Sequence, residues 1–311
     1  MTSTLRFALL LLAISLSTSQ VTTAQSLLSL YENPSEAELF DYCAWQFTEG
    51  ADTTGLASIQ AVFDAEESTT DQRTSAVLID AGVQIAGDAK NEKACRKAFE
   101  KGAQKYEKEY TKQFKKLKKQ DNIKWDQDED IAAIQRKISL LWSEDQARRI
   151  VYSRHNQDRT VGPQLWTSAL SRAYGARIDQ TSTHYMKEVL EKYDWVDIHR
   201  FGGRISNHAW LLVQHADRDP EFQALALERM TPYLDNQGVS KSNYAYLFDR
   251  VAVNHDRKQL YGTQPIWECT DNGLELAPME DPENVNERRA AFGMVPVEQS
   301  LAEMSRSVCG K

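Results

Sequence analysis

The chain has 311 residues, 41% of them apolar and 26% charged, with 8 Pro and 14 Gly. That is globular composition, chain enough for one large domain or two modest ones, and it excludes collagen-like and wholly disordered proteins. A net charge of −8 argues against a nucleic-acid binder, and no apolar run reaches the roughly 18 residues of a membrane helix, so no transmembrane segment is expected in the mature chain.

Residues 1–24 read as a secretory signal peptide. Arg6 supplies the positive start, residues 7–16 form an apolar core too short to span a bilayer, and Thr22 and Ala24 are the small residues before a cut at Gln25. An uncleaved anchor is the competing reading. No Cys sits at the cut, which disfavours a lipid anchor. The expected location is therefore secreted or periplasmic. Cys43, Cys95, Cys269 and Cys309 then meet an oxidising compartment, and an even count suggests two disulfides. Three pairings are open; Cys43–Cys95 with Cys269–Cys309 is favoured, because each ties together parts of one region. The spacings are too wide for a zinc knuckle.

Residues 25–122 read as an N-terminal helical region, with helices over 37–47, 58–65, 70–86 and 89–119. In the last, Cys95, Phe99, Tyr106, Tyr110, Phe114 and Leu117 form a helical stripe. Its other faces hold twelve Lys and Arg against four Glu between Lys90 and Lys119. A solvated basic face is the favoured reading; the other is a docking face over 90–119 for an anionic partner.

Residues 123–311 read as a second helical domain, after an acidic linker over 120–130. A long helix carries Ile131, Ile134, Ile138 and Leu141 inward. Ser143-Glu-Asp-Gln146 has the form of a capping box and suggests a fresh helix over 144–153. Further helices are expected over 179–193, 207–216, from Asp219-Pro220 to about 234, and over 241–253. Asn272-Gly273 between two apolar runs predicts a small β-hairpin, and Asp281-Pro282 opens a helix to about 292. The fold class is mainly α and multi-helical, with a small β-hairpin near the C-terminus.

All six histidines, from His155 to His255, lie after residue 125, so acid–base chemistry belongs there. His208 and His215 sit seven residues apart, a rise of about 10.5 Å on one helix, and cannot share a metal. His215 near a helix end, with Asp217 or Asp249 to fix its tautomer, is the candidate general acid or base. The bland alternative is a capping His beside solvent-facing charges. Arg250 suits a carboxylate or phosphate, or pairs structurally with Asp217 or Asp249. Gln214, Gln259, Tyr261, Thr263 and Gln264 are candidate substrate contacts, or members of a buried hydrogen-bond network. His215 and Asp217 supply two metal ligands without a convincing third, so no metal is assigned. No nucleotide-loop, serine-hydrolase, dinucleotide or zinc-protease motif is present, and no cofactor is indicated.

Several of these segments resemble one bacterial family, the domain of unknown function 6624. The residues that carry the resemblance are Glu144-Asp-Gln-Ala-Arg148, Trp195, the run Ala209-Trp-Leu-Leu-Val-Gln-His-Ala-Asp-Arg-Asp-Pro-Glu-Phe-Gln223, Asp249-Arg250, Gln259-Leu-Tyr-Gly-Thr-Gln264 and Asp281-Pro-Glu-Asn-Val-Asn-Glu-Arg-Arg289. The resemblance covers about residues 128–300, with these motifs in order. Tyr193-Asp194-Trp195 departs from the family pattern, which has Gly-Trp-Pro there. The resemblance implies no activity, only that these polar groups belong together. Three functions stay open: an exported hydrolase-like enzyme, a binding or inhibitor module using the same cleft, or a structural or interaction protein. The ligand, small molecule or polymer, is not specified.

Overall fold

The computed structural model describes residues 92–157 and 161–310. The signal peptide, the three helices read before residue 87 and the Cys43–Cys95 pairing lie outside them. The chain divides into two compact units, residues 1–107 with 154–173, and residues 108–153 with 174–311. Every contact discussed below belongs to the second.

The described chain is mainly helical. Helix α1 (Glu92–Gln120) buries Ala103, Tyr106 and Gln113, while Lys105, Lys108, Lys112, Lys115, Lys116, Lys118 and Lys119 are exposed. Asp121–Asp128 connects it to α2 (Glu129–Gln157). This helix is continuous, and the break expected at Ser143 is absent. Ser143 is fully buried and its Oγ donates to the Ser139 carbonyl at 2.9 Å, the back-bonded mode of a serine inside a helix. The capping pattern misleads because the stretch is enclosed on several sides: Leu141, Ser143, Asp145, Ala147 and Val151 are all buried.

Helix α3 (Val161–Tyr193) begins well before the expected 179, which places Asp179 inside it. It ends at Asp194, whose φ of 59° is left-handed. Glycine takes that conformation at least cost and Asp is among the tolerated exceptions. The short α4 (Ile198–Phe201) is capped by Asp197, whose carboxylate accepts from the backbone of His199 and Arg200. Then come α5 (Gly203–Gln214) and α6 (Pro220–Met230). Asp219 caps α6 as expected, its Oδ1 accepting from Phe222 N at 3.0 Å. A short 3-10 turn (Thr231–Tyr233) follows, then α7 (Lys241–Asn254), capped by Ser240.

The expected hairpin forms from β1 (Pro265–Thr270) and β2 (Gly273–Leu276), antiparallel, with Pro265 opposite Leu276 and Thr270 opposite Gly273. The segment after Asp281-Pro282 is a 3-10 turn (Pro282–Asn284) running into α8 (Val285–Ala291). Asp281 offers no side-chain cap; its carboxylate takes Arg288 Nη1 at 2.8 Å instead. The final helix α9 (Val297–Cys309) has no counterpart in the sequence reading. It packs on the hairpin, where Ser305 Oγ accepts from Leu274 N at 3.0 Å, and Cys269–Cys309 joins the two covalently. The core joins Ile138 and Leu141 of α2, Met186 and Leu190 of α3, Ile205 and Val213 of α5, Phe222 and Ala226 of α6, and Leu247 and Val251 of α7 around Trp195, which is wholly buried. No described helix is long and apolar enough to cross a membrane.

Candidate active site

Asp145, Arg148 and Arg149 stand at spacings of three and four on α2, so they share a face. Asp145 is buried and its carboxylate is a hub. Arg149 Nε donates to Oδ1 at 2.9 Å and Oδ2 at 3.2 Å, Arg148 Nη2 to Oδ1 at 3.3 Å, and Gln146 Nε2 to Oδ2 at 2.7 Å. The remaining partner arrives from 70 residues away: His215 Nδ1 lies 2.8 Å from Oδ2. His215 caps the C-terminal end of α5, at φ −94° and ψ 0°, where the backbone leaves the helix and turns the ring back toward α2.

Burial alone would push Asp145 upward. The hydrogen bond and charge of His215, then Arg149 and Arg148, outweigh it and hold the carboxyl well below the usual range. For His215, burial pushes the imidazole below its ordinary value; Asp145 pulls the other way without overcoming it, and Arg149 and Arg148 add to the fall. At neutral pH the pair is therefore a carboxylate and a neutral ring. The ring's proton sits on Nδ1, facing Asp145, and the lone pair on Nε2. Nε2 takes no partner among the described residues and is not among the sealed, unpartnered atoms; 14% of the side chain stays exposed.

A second carboxyl stands close by. Gly175 on α3 lies so near Arg148 that a Cβ there would meet its Cζ at 2.9 Å. Asp179 is one turn further along the same face. Burial raises Asp179 to about 6; Arg148 leads the opposing pull, with Arg149 and Arg218, while Asp145 adds to the rise.

The expected orienters of His215 lie elsewhere. Asp217 pairs with Arg250, Nε to Oδ1 at 2.8 Å and Nη2 to Oδ2 at 2.5 Å. Asn254 Nδ2 adds a bond to Oδ1 at 3.2 Å. Burial would raise Asp217, and Arg250, Asn254 and Gln223 together hold it down. Arg250 Nη1 also donates to Gln264 Oε1 at 3.0 Å, so this guanidinium is the structural bridge of the two alternatives. Asp249 is completely buried and pins the 259–264 loop. It accepts from the backbone of Leu260 (2.7 Å), Tyr261 (3.0 Å) and Thr263 (3.0 Å) and from Thr263 Oγ1 (2.9 Å). The correction to the sequence reading is that Asp145, not Asp217 or Asp249, holds His215.

The other expected substrate contacts fall in that loop's own network. Gln259 is fully buried and bonds the Gln264 carbonyl (2.9 Å), the Ala277 carbonyl (2.7 Å) and Gln264 N (2.8 Å). Gln264 Nε2 reaches Thr263 Oγ1 at 3.0 Å. Arg289, also buried, donates to the Tyr261 carbonyl at 2.7 Å. The Tyr261 ring packs on Phe248 and Phe292. Gly262 has φ +64°, and a Cβ there would meet Val297 at 2.7 Å, so only glycine fits. Gln214 is buried with its Oε1 unpartnered, next to His215. The structure thus gathers Asp217 with Arg250, Asn254 and Gln264, and Asp249 with 260–263. Asp145 and Asp179 escaped the sequence reading. For Asp145 a signal existed: it lies inside the Glu144-Asp-Gln-Ala-Arg148 signature, beside two arginines at helical spacing.

His208 makes a separate cluster. It is buried, stacked on Trp142 at 4.0 Å between ring centroids, with Nδ1 3.7 Å from Asp121 Oδ2. Ser139 Oγ donates to that same Asp121 carboxylate. Among the described residues no group of three or more His, Cys, Asp and Glu side chains is placed to hold a metal ion.

Nothing among curated proteins, and nothing among solved structures, matches the chain. A family model does: residues 153–308 match a family of unknown function, DUF6624. His215, Asp179 and the 259–264 loop fall inside the matched segment, and Asp145 lies eight residues before it. The match covers half of the chain, and the protein belongs to that family.

Proposed function

We propose that the protein is an exported enzyme of hydrolytic type, with His215 as general base and Asp145 as its positioning residue. One observation carries this reading: the buried Asp145 carboxylate lies on Nδ1 of the imidazole at 2.8 Å, and Nε2 has no partner among the described residues. A group in that state accepts a proton from water as the water oxygen bonds to an electrophilic carbon or phosphorus. The imidazolium that results is stabilised by Asp145 beside it. Asp179, held near 6, supplies the proton that the leaving group takes. Asp249, Gln259, Thr263 and Gln264 serve as scaffold, fixing the loop that follows α7. Export is supported by the pattern of residues 1–24 and by the Cys269–Cys309 bond, which persists in oxidising compartments.

The test is a screen of ester, peptide and cell-wall substrates with the wild type and His215→Ala. The wild type is expected to turn over one class, and the variant to lose about 10²- to 10⁴-fold in kcat. Asp145→Asn, which leaves the ring without an anionic anchor, is expected to lose rate with little change in KM. A base below its ordinary 6.5 and an acid near 6 give a bell-shaped kcat/KM profile that peaks on the acidic side of neutrality. Turnover that survives in His215→Ala would overturn the assignment. Loss of ligand affinity in that variant, with no substrate consumed, would make the protein a binding module instead.

A further inference from the structure

We infer that the free guanidinium edge of Arg149 is an oxyanion subsite beside His215, so that the substrate carries a carboxylate or phosphate next to the bond that is cut. The inference rests on the base role of His215 given above and names the substrate class for it. Arg149 and His215 are bound to the same oxygen, Asp145 Oδ2, at 3.2 and 2.8 Å. They are therefore neighbours, and Asp145 sets the direction of both. Of the five N–H donors of a guanidinium, Arg149 uses only Nε, on Asp145. The two Nη groups take no partner among the described residues, and 39% of the side chain is exposed. That edge is a planar fork whose spacing matches the two oxygens of a carboxylate or phosphate.

The surroundings favour an anion there. Arg148 and Arg218 act on the same region, against two carboxyl groups, Asp145 and Asp179. Asp145 is already consumed by four donors. Asp179 feels Arg148, Arg149 and Arg218 through their charge, as pulls that oppose the rise caused by its burial. A bound oxyanion would complete the valence of Arg149 and sit beside Nε2, where the attacking water is activated. Arg250, the residue of the sequence reading that best suited an anion, is already closed by Asp217.

The test is a titration of the full chain, 15N-labelled, with inorganic phosphate and separately with acetate at pH 7 and constant ionic strength. The imidazole resonances of His215 and His208 are followed. One anion is expected to shift His215 saturably and leave His208 unmoved, and the arm that responds identifies a phosphoryl or a carboxylate substrate. Arg149→Gln is expected to weaken that binding at least about tenfold, roughly 1.4 kcal/mol. Arg149→Lys keeps the charge without the fork and should fall between. An unshifted His208 spectrum in each variant reports that the fold is intact. No saturable shift of His215 in either arm, or equal affinity in Arg149→Gln, overturns the subsite. If instead the anion binds but the His215 proton is found on Nε2, the base assignment falls while the subsite stands.

Discussion

His208 is buried and His215 partly so, and both are neutral at pH 7, yet their ring nitrogens meet different surroundings. His215 has a carboxylate at hydrogen-bond distance. His208 faces Asp121 across 3.7 Å, and its Nδ1 has no hydrogen-bond partner among the described residues. Burial pushes His208 down to about 4, against Asp121 and with Arg204. Its folded value lies below its unfolded value, so the unfolded chain binds the extra proton. The stabilisation is complete above about 6.5 and is lost as pH falls toward 4. At 1.36 kcal/mol per unit the loss is on the order of 3 kcal/mol. Asp179 works against this loss, because its raised value makes the folded chain take up a proton over the same range, so the His208 contribution is read from thermal melts between pH 7 and pH 4 as the difference between wild type and His208→Gln. His208→Gln should lose less stability over that range than the wild type, by about this amount, whereas an unchanged pH dependence would locate the titration elsewhere. Asp145 acts only at the acid edge of this window: its folded value is depressed, so its stabilisation starts to fall as pH nears the unfolded value of 3.8 and goes on falling below it.

Among the described elements, α9 carries a covalent tie, Cys269–Cys309. It meets the hairpin through Ser305 and Cys309, and it follows a segment that Arg289 ties down, Nε donating to the Val295 carbonyl at 2.6 Å. Cys269 and Cys309 close a loop of 40 residues, for which chain entropy predicts about 4 kcal/mol of stabilisation. The double substitution Cys269→Ser with Cys309→Ser is expected to cost about 2–4 kcal/mol in urea unfolding. Amides of α9 should then exchange first, ahead of those in α5 and α7. Uniform exchange across all helices would show that the bond stabilises the whole unit rather than this element. The elements also show where pattern reading ends. The stripe on α1 and the Asp219 cap of α6 were legible, because one exposed face or one capping side chain leaves its mark locally. The continuity of α2 was not, since a helix enclosed on several sides shows no polar face, and Ser143 then resembles a start signal.

For the whole molecule, the proposed export has the most direct check. Expressed at full length in a bacterium, the protein recovered from periplasm or medium is expected to begin at Gln25, as read by N-terminal sequencing. Recovery in the membrane fraction with residues 1–24 attached would replace secretion with anchoring. The helical class and the hairpin were determined by the sequence itself, whereas Cys269–Cys309 was only the favoured one of the pairings that counting left open. Periodicity, turn residues and the scarcity of cysteines act over short stretches or through simple counting. The family's polar signatures were visible too, and so was the fact that they belong together. Their division of labour was a tertiary matter. Asp217, two residues from His215, turns to Arg250, whereas Asp145, 70 residues away, takes the ring. A carboxylate is claimed by whichever donors the packed helices bring within about 3 Å, and closeness along the chain says nothing of that. Only the packing of α5 against α2 put the imidazole on Asp145, and only the passage of α3 at Gly175 brought Asp179 beside them.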